Sequence, residues 1–162
     1  MTFAIAAALA LAVQTSPAPA IQTSPAPQSQ PAQSNLEYSM PIAGNWTYAT
    51  TANGSEATFS NESSAPQLTI RCSRSTRRVA LLKAASSAAP TMWVWTSSDK
   101  KTLPATYDST AGRVSAELGA YDPLLDAMAS SRGRIGVSTS GLAALVVPPW
   151  AEVGRVIEDC RV

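Results

Sequence analysis

The chain of 162 residues contains no histidine. Imidazole is the commonest general base and metal ligand. Its absence excludes Ser-His-Asp and Cys-His catalysis and every His-ligated metal centre. Cysteine is nearly as scarce: Cys72 and Cys160 are the only two, too few for a Cys₃ or Cys₄ metal site within one chain. An excess of either charge is also missing. Twelve Lys and Arg against eleven Asp and Glu leave a net +1, without the basic surplus that a nucleic-acid-binding face needs. Long hydrophobic runs are absent as well. The uncharged stretch from Phe3 to Val13 (FAIAAALALAV) is too short to cross a bilayer as a helix. No cofactor, metal or nucleic-acid partner is expected.

That same stretch has the length of the apolar core of a secretory signal. Ala18-Pro19-Ala20 follows it as an A-x-A-like cleavage site. No cysteine stands near that site, which disfavours a lipid anchor. Residues 14–34 then consist of Gln, Pro, Ser, Ala and Thr with one Ile, and Thr-Ser-Pro-Ala-Pro occurs at 15–19 and again at 23–27. Proline fixes φ and removes donors, so this segment reads as a solvated spacer with no face to bury. The expected organisation is a signal peptide over 1–20, a Pro/Gln/Ser/Ala linker over 21–43 and one β-rich domain over 44–162. The expected location is the periplasm or the exterior, with no membrane span after cleavage.

Within 44–162 the apolar pattern has period two. Trp46–Thr50 and Glu56–Phe59 flank Asn53-Gly54, a hairpin turn signal. Gln67–Cys72 alternates strictly, placing Leu68, Ile70 and Cys72 on one face. Further strands are predicted at Arg78–Lys83, Met92–Thr96, Leu103–Tyr107, Val114–Leu118, Ile135–Ser138 and Leu142–Val147, with a polar turn at 97–101. About nine short strands at this spacing predict a mostly β fold, an antiparallel sandwich or partly open barrel. Two short helices interrupt it. Asp122-Pro123 provides an N-cap and an N1 proline for the first, which runs to about Ser130 with Gly133 as its stop. Pro148-Pro149 opens the second, where Trp150, Val153, Val156, Ile157 and Cys160 form one apolar stripe and Glu152, Arg155, Glu158 and Asp159 face water. Cys72 and Cys160 both point to the core. Export to an oxidising compartment then predicts a disulfide linking the C-terminal helix to a strand.

Chemical motifs are few. Ser97-Ser98-Asp99-Lys100 matches S-x-x-K but lies in a hairpin turn without the partner motifs of penicillin-recognising enzymes. Gly136–Gly141 is one residue too long for a nucleophile elbow. Asp122 and Asp126, with Glu152, are the carboxylates available for acid/base work, although the first two also suit a helix N-terminus. Arg132 and Arg134 flank Gly133 and suit either an anion site or a helix C-terminus. Arg71, Arg74, Arg77, Arg78 and Lys83 form a basic stretch without acids, most simply the solvated side of a hairpin, with Arg71 and Arg74 as possible anion or partner contacts. Trp93 and Trp95 share a strand face, as core or as a binding stripe; core packing is the expectation.

The order of these elements resembles a known group. A Trp strand leads into Leu68-Thr69-Ile70-Arg71-Cys72. A second Trp strand and polar turn (Trp93 to Lys101) follow, then the helix from Leu124 to Ala129, the turn Ser140-Gly141-Leu142 and a terminal helix ending in Cys160. This is similar to the TagO/VasI-like proteins associated with type VI secretion; the invasion-associated-locus-B-like group shares the order. The resemblance implies an exported β-rich domain with a cysteine-anchored terminal helix and no enzymatic site. The lipobox cysteine of the anchored members is absent here. The expected function is an exported envelope binding or accessory module, with an envelope protein or polymer as partner. The alternatives are a carboxylate-dependent hydrolase of cell-wall polymer and a periplasmic inhibitor that presents a rigid loop at Ser60–Pro66.

Overall fold

The structure, a computed structural model, describes residues 38–162. The signal and the greater part of the linker expected from the sequence lie outside the described residues. Among these residues, ten antiparallel strands form two sheets. The six-stranded sheet has the order β1 (Gly44–Thr51), β2 (Gly54–Asn61), β3 (Pro66–Ser73), β4 (Arg78–Ala84), β8 (Arg113–Gly119), β7 (Thr106–Asp108). The four-stranded sheet has the order β10 (Leu145–Val147), β9 (Ile135–Thr139), β5 (Thr91–Trp95), β6 (Lys100–Pro104). Helices α1 (Pro123–Ala129) and α2 (Ala151–Asp159) complete the fold. It is a sandwich-like body and not a closed barrel, and Cys72 and Cys160 are bridged, with Cα atoms 5.4 Å apart.

Period-two alternation builds the large sheet. Register places Trp46, Phe59, Leu68, Lys83, Val114 and Tyr107 in one row across its six strands. The next row is Tyr48, Ala57, Ile70, Leu81 and Ala116, and the one beyond holds Ser55, Cys72, Val79 and Leu118. These rows face the core, where Phe59, Leu68, Ile70, Val79 and Leu81 are fully buried. Each such side chain contributes about 1.5–3 kcal/mol of transfer free energy. The outer face carries Thr58 and Thr69, whose hydroxyls bond at 3.1 Å, and the Glu56–Arg71 and Arg78–Glu117 ion pairs at 3.0 and 2.9 Å. Trp46 meets Phe59 edge-on, with ring centroids 5.5 Å apart, and its indole N–H donates to the Pro148 carbonyl at 2.7 Å.

The bounds of the elements depart from the sequence reading at several places. The strand expected over Leu103–Tyr107 divides at Ala105 into β6 and β7, which belong to different sheets. The Ala105 N–H makes the last bond of the β5–β6 ladder, to the Pro90 carbonyl at 2.9 Å, and Pro90 has no N–H to return it. The first hairpin turns at Ala52-Asn53, since Thr51 pairs with Gly54 and Gly54 opens β2. Leu142–Ala144 is a loop, and the last strand begins at Leu145. Trp150 lies before α2 as its N-cap residue and is 43% exposed, while Val153, Val156, Ile157 and Cys160 of its expected stripe are buried. The helix α1 forms as its caps predict: the Asp122 carboxylate accepts from Leu124 N–H at 3.0 Å, with Pro123 at the first helical position.

Candidate functional site

The arginines singled out in the sequence do not converge. Arg71 lies on the outer face of the large sheet, where its Nε donates to Glu56 at 3.0 Å. Arg74, in the β3–β4 turn, donates to the carbonyl of Asp159 at 3.0 Å and so caps the end of α2. Arg134 donates to the Ser39 carbonyl at 3.0 Å and ties residues 38–42 to the domain. In the same segment, Ile42 N–H bonds the Val146 carbonyl at 2.9 Å. Arg132 is exposed, but its backbone N–H is held by the Ser97 hydroxyl at 2.8 Å. That amide is committed to the turn around 97–100, which Thr96 closes through its own hydroxyl.

Three carboxylates near the helices are each bound to the fold. Asp122 caps α1 and receives Lys101 Nζ at 2.7 Å. Burial alone would raise its pKa; the hydrogen bond and charge of Lys101 and the Leu124 amide outweigh that and hold the carboxyl below its usual value. Asp126 pairs with Arg161 at 2.7 Å. Asp159, expected to face water, turns inward instead. Its carboxylate accepts from the Tyr48 hydroxyl at 2.6 Å and the Ser55 hydroxyl at 2.7 Å. Arg155 of the same helix lies over the Tyr48 ring, 3.8 Å from its centroid. Among the described residues, no group of three or more His, Cys, Asp or Glu is placed to hold a metal ion, and no helix is long and apolar enough to cross a membrane.

Two features remain. The first is the outer face of the four-stranded sheet. Met92, Val94 and Thr96 are buried on the inner side of that strand, whereas Trp93 and Trp95 are only half-buried on the other. The expectation that the tryptophans are core residues is therefore corrected. Strand parity fixes this: Val94 and Met92 take the core side, so their neighbours point away. Register surrounds the two indoles with Thr102 and Ser138 beside Trp93, and Lys100 and Gly136 beside Trp95. Gly136 has no side chain, and the Trp95 ring lies across it, 3.5 Å from where a Cβ would stand.

The second is a cleft of about 270 Å³ at the mouth of the sandwich, between β3, β4 and the loop leading into β10. Gln67, Lys83, Ala84, Ala85, Ser86 and the 142–145 segment line it. The sequence reading placed Lys83 on a solvated hairpin face; the structure puts it in the core-facing row with Leu68 and Val114 and leaves it 5% exposed. The parity of Arg78–Lys83 already carried that signal, since Lys83 is two residues beyond Leu81 and four beyond Val79. Burial pushes its ammonium pKa below the ordinary lysine value.

No protein-family model, curated protein or solved structure matches this chain, and its sites are read from their own geometry.

Proposed function

We propose that the protein is an exported envelope module that binds a wall polymer, and that the outer face of the four-stranded sheet is its binding face. One observation carries the reading: Trp93 and Trp95 both lie on the side of β5 that faces away from the core, and both are only partly buried. Residues two apart on a strand are separated by about 6.6 Å. Two rings at that spacing form a flat platform for the apolar faces of successive sugar rings, and Thr102, Ser138 and Lys100 supply hydroxyl and ammonium groups around it. The disulfide supports a compartment that oxidises thiols, and the signal-like sequence at 1–20 supports a route to it.

Sedimentation with purified peptidoglycan sacculi tests the reading. The native protein is expected to pellet with sacculi. A Trp93→Ala, Trp95→Ala variant is expected to bind at least about tenfold more weakly, since loss of each aromatic stack costs about 0.5–1.5 kcal/mol beyond its area. Its thermal unfolding stays close to native, because neither ring is a core residue. Equal sedimentation of the two proteins, or none by either, overturns the proposal.

A further inference from the structure

We propose that the cleft at the mouth of the sandwich binds a carboxylate carried on a small apolar body, and that the Lys83 ammonium is its anchor. This is independent of the tryptophan face. The argument begins with the donor count. A lysine ammonium has three N–H donors. One reaches the Ala84 carbonyl, at a long 3.4 Å. Among the described residues, no carboxylate lies within 4.0 Å of Lys83, although every other inward-facing position of β4 is apolar. A buried cation without a counter-ion is costly, and a methionine of similar length would fill the same row without that cost. The position is intelligible if the counter-ion arrives from outside.

The cleft is shaped for such an arrival. Its walls combine apolar side chains, from Ala84, Ala85, Leu142 and Leu145, with polar groups in about equal share, and the burial of Lys83 limits water around the charge. Exclusion of water strengthens an ammonium–carboxylate contact. Gln67 and Ser86 stand beside Lys83 as further hydrogen-bonding groups. A volume of about 270 Å³ is below the usual range for drug-sized ligands. It suits a short acid or the last residues of a peptide that ends in small side chains.

Calorimetric titration of the full chain with N-acetyl-Ala-Ala, its C-terminal amide and butyrate tests this. The acid is expected to bind, and the amide, which has the same shape without the charge, to bind at least about tenfold more weakly. Lys83→Met is expected to abolish acid binding while melting no lower than the native protein. Binding of butyrate as strong as that of the dipeptide identifies a free acid as the ligand type; binding of the dipeptide alone identifies a peptide C-terminus. Both results support the carboxylate anchor. Equal binding of acid and amide by the native protein, binding of the acid by Lys83→Met, or no binding of either acid overturns it. The acid–amide comparison stands whether or not the variant folds.

Discussion

Asp159 ends α2 with its carboxylate turned toward the six-stranded sheet, and its partners set its titration. Burial by itself would raise its pKa. The Tyr48 and Ser55 hydrogen bonds, with the Arg74 and Arg155 charges, more than offset this and hold the carboxyl below the ordinary value. A carboxyl whose folded pKa lies below the unfolded value of about 3.9 contributes stability that is complete above about pH 4. That contribution is lost as pH falls through the lowered folded value. Asp159→Asn is therefore expected to cost about 1–3 kcal/mol at neutral pH, the loss of a charged acceptor for two hydroxyls. The gap to the native protein narrows in acid. Urea unfolding of both proteins at pH 7 and pH 3 checks this; an equal gap at the two pH values contradicts it. The role of Asp159 was hidden in the sequence because helical periodicity puts it on the polar side of α2. It does not reveal that Tyr48 and Ser55, more than a hundred residues earlier, bring hydroxyls to that side. Lys83 differs: strand parity alone places it inward, and its charge obscured that signal.

At the scale of elements, the strands and both helices were legible because their patterns are local. Strict alternation marks β3, a short apolar run marks β4, and Asp122-Pro123 marks α1. Sheet membership was not legible at β6 and β7. Tyr107 alternates with Leu103, and only the missing N–H of Pro90, on the strand opposite, hints that the ladder ends there. The tryptophan face needed knowledge of what covers each side of β5, which no single strand contains. The first hairpin shows how tightly two turns are joined. The Asn53 side chain donates to the Ser73 and Ser75 hydroxyls at 2.9 and 2.8 Å, fixing the β1–β2 turn to the β3–β4 turn. Gly54, next along, has φ +152° and runs so close to β3 that a Cβ would stand 2.5 Å from the Cys72 carbonyl oxygen. The obstacle is backbone, so it cannot swing aside. Gly54→Ala is expected to lower stability by about 2 kcal/mol or more, well beyond a surface substitution. Chemical denaturation gives the value, and a change within about 0.5 kcal/mol would contradict the close approach.

For the whole molecule, the Cys72–Cys160 bridge joins residues 88 apart and seats α2 against the inner face of the large sheet. Both cysteines are buried, Cys160 fully. Closing a loop of this length restricts the unfolded chain, and removal of such a bridge typically costs about 2–5 kcal/mol. Reduction, or the paired substitution Cys72→Ala and Cys160→Ala, is expected to lower the denaturation midpoint accordingly, and matched denaturation curves with and without reductant measure it. Unchanged midpoints would show that packing alone holds α2. The bridge was legible because two cysteines on core-facing positions leave one pairing, whereas the outward turn of the tryptophans had to be seen in three dimensions.

The covalent ring also encloses β4 through α2, including every strand of the smaller sheet. A protease that severs one peptide bond at an exposed turn inside the ring, such as 97–99, releases nothing: the two pieces stay joined through sulfur and separate only when a reductant is added. Wherever reductants are scarce, a nicked copy keeps both of its sheets in one molecule.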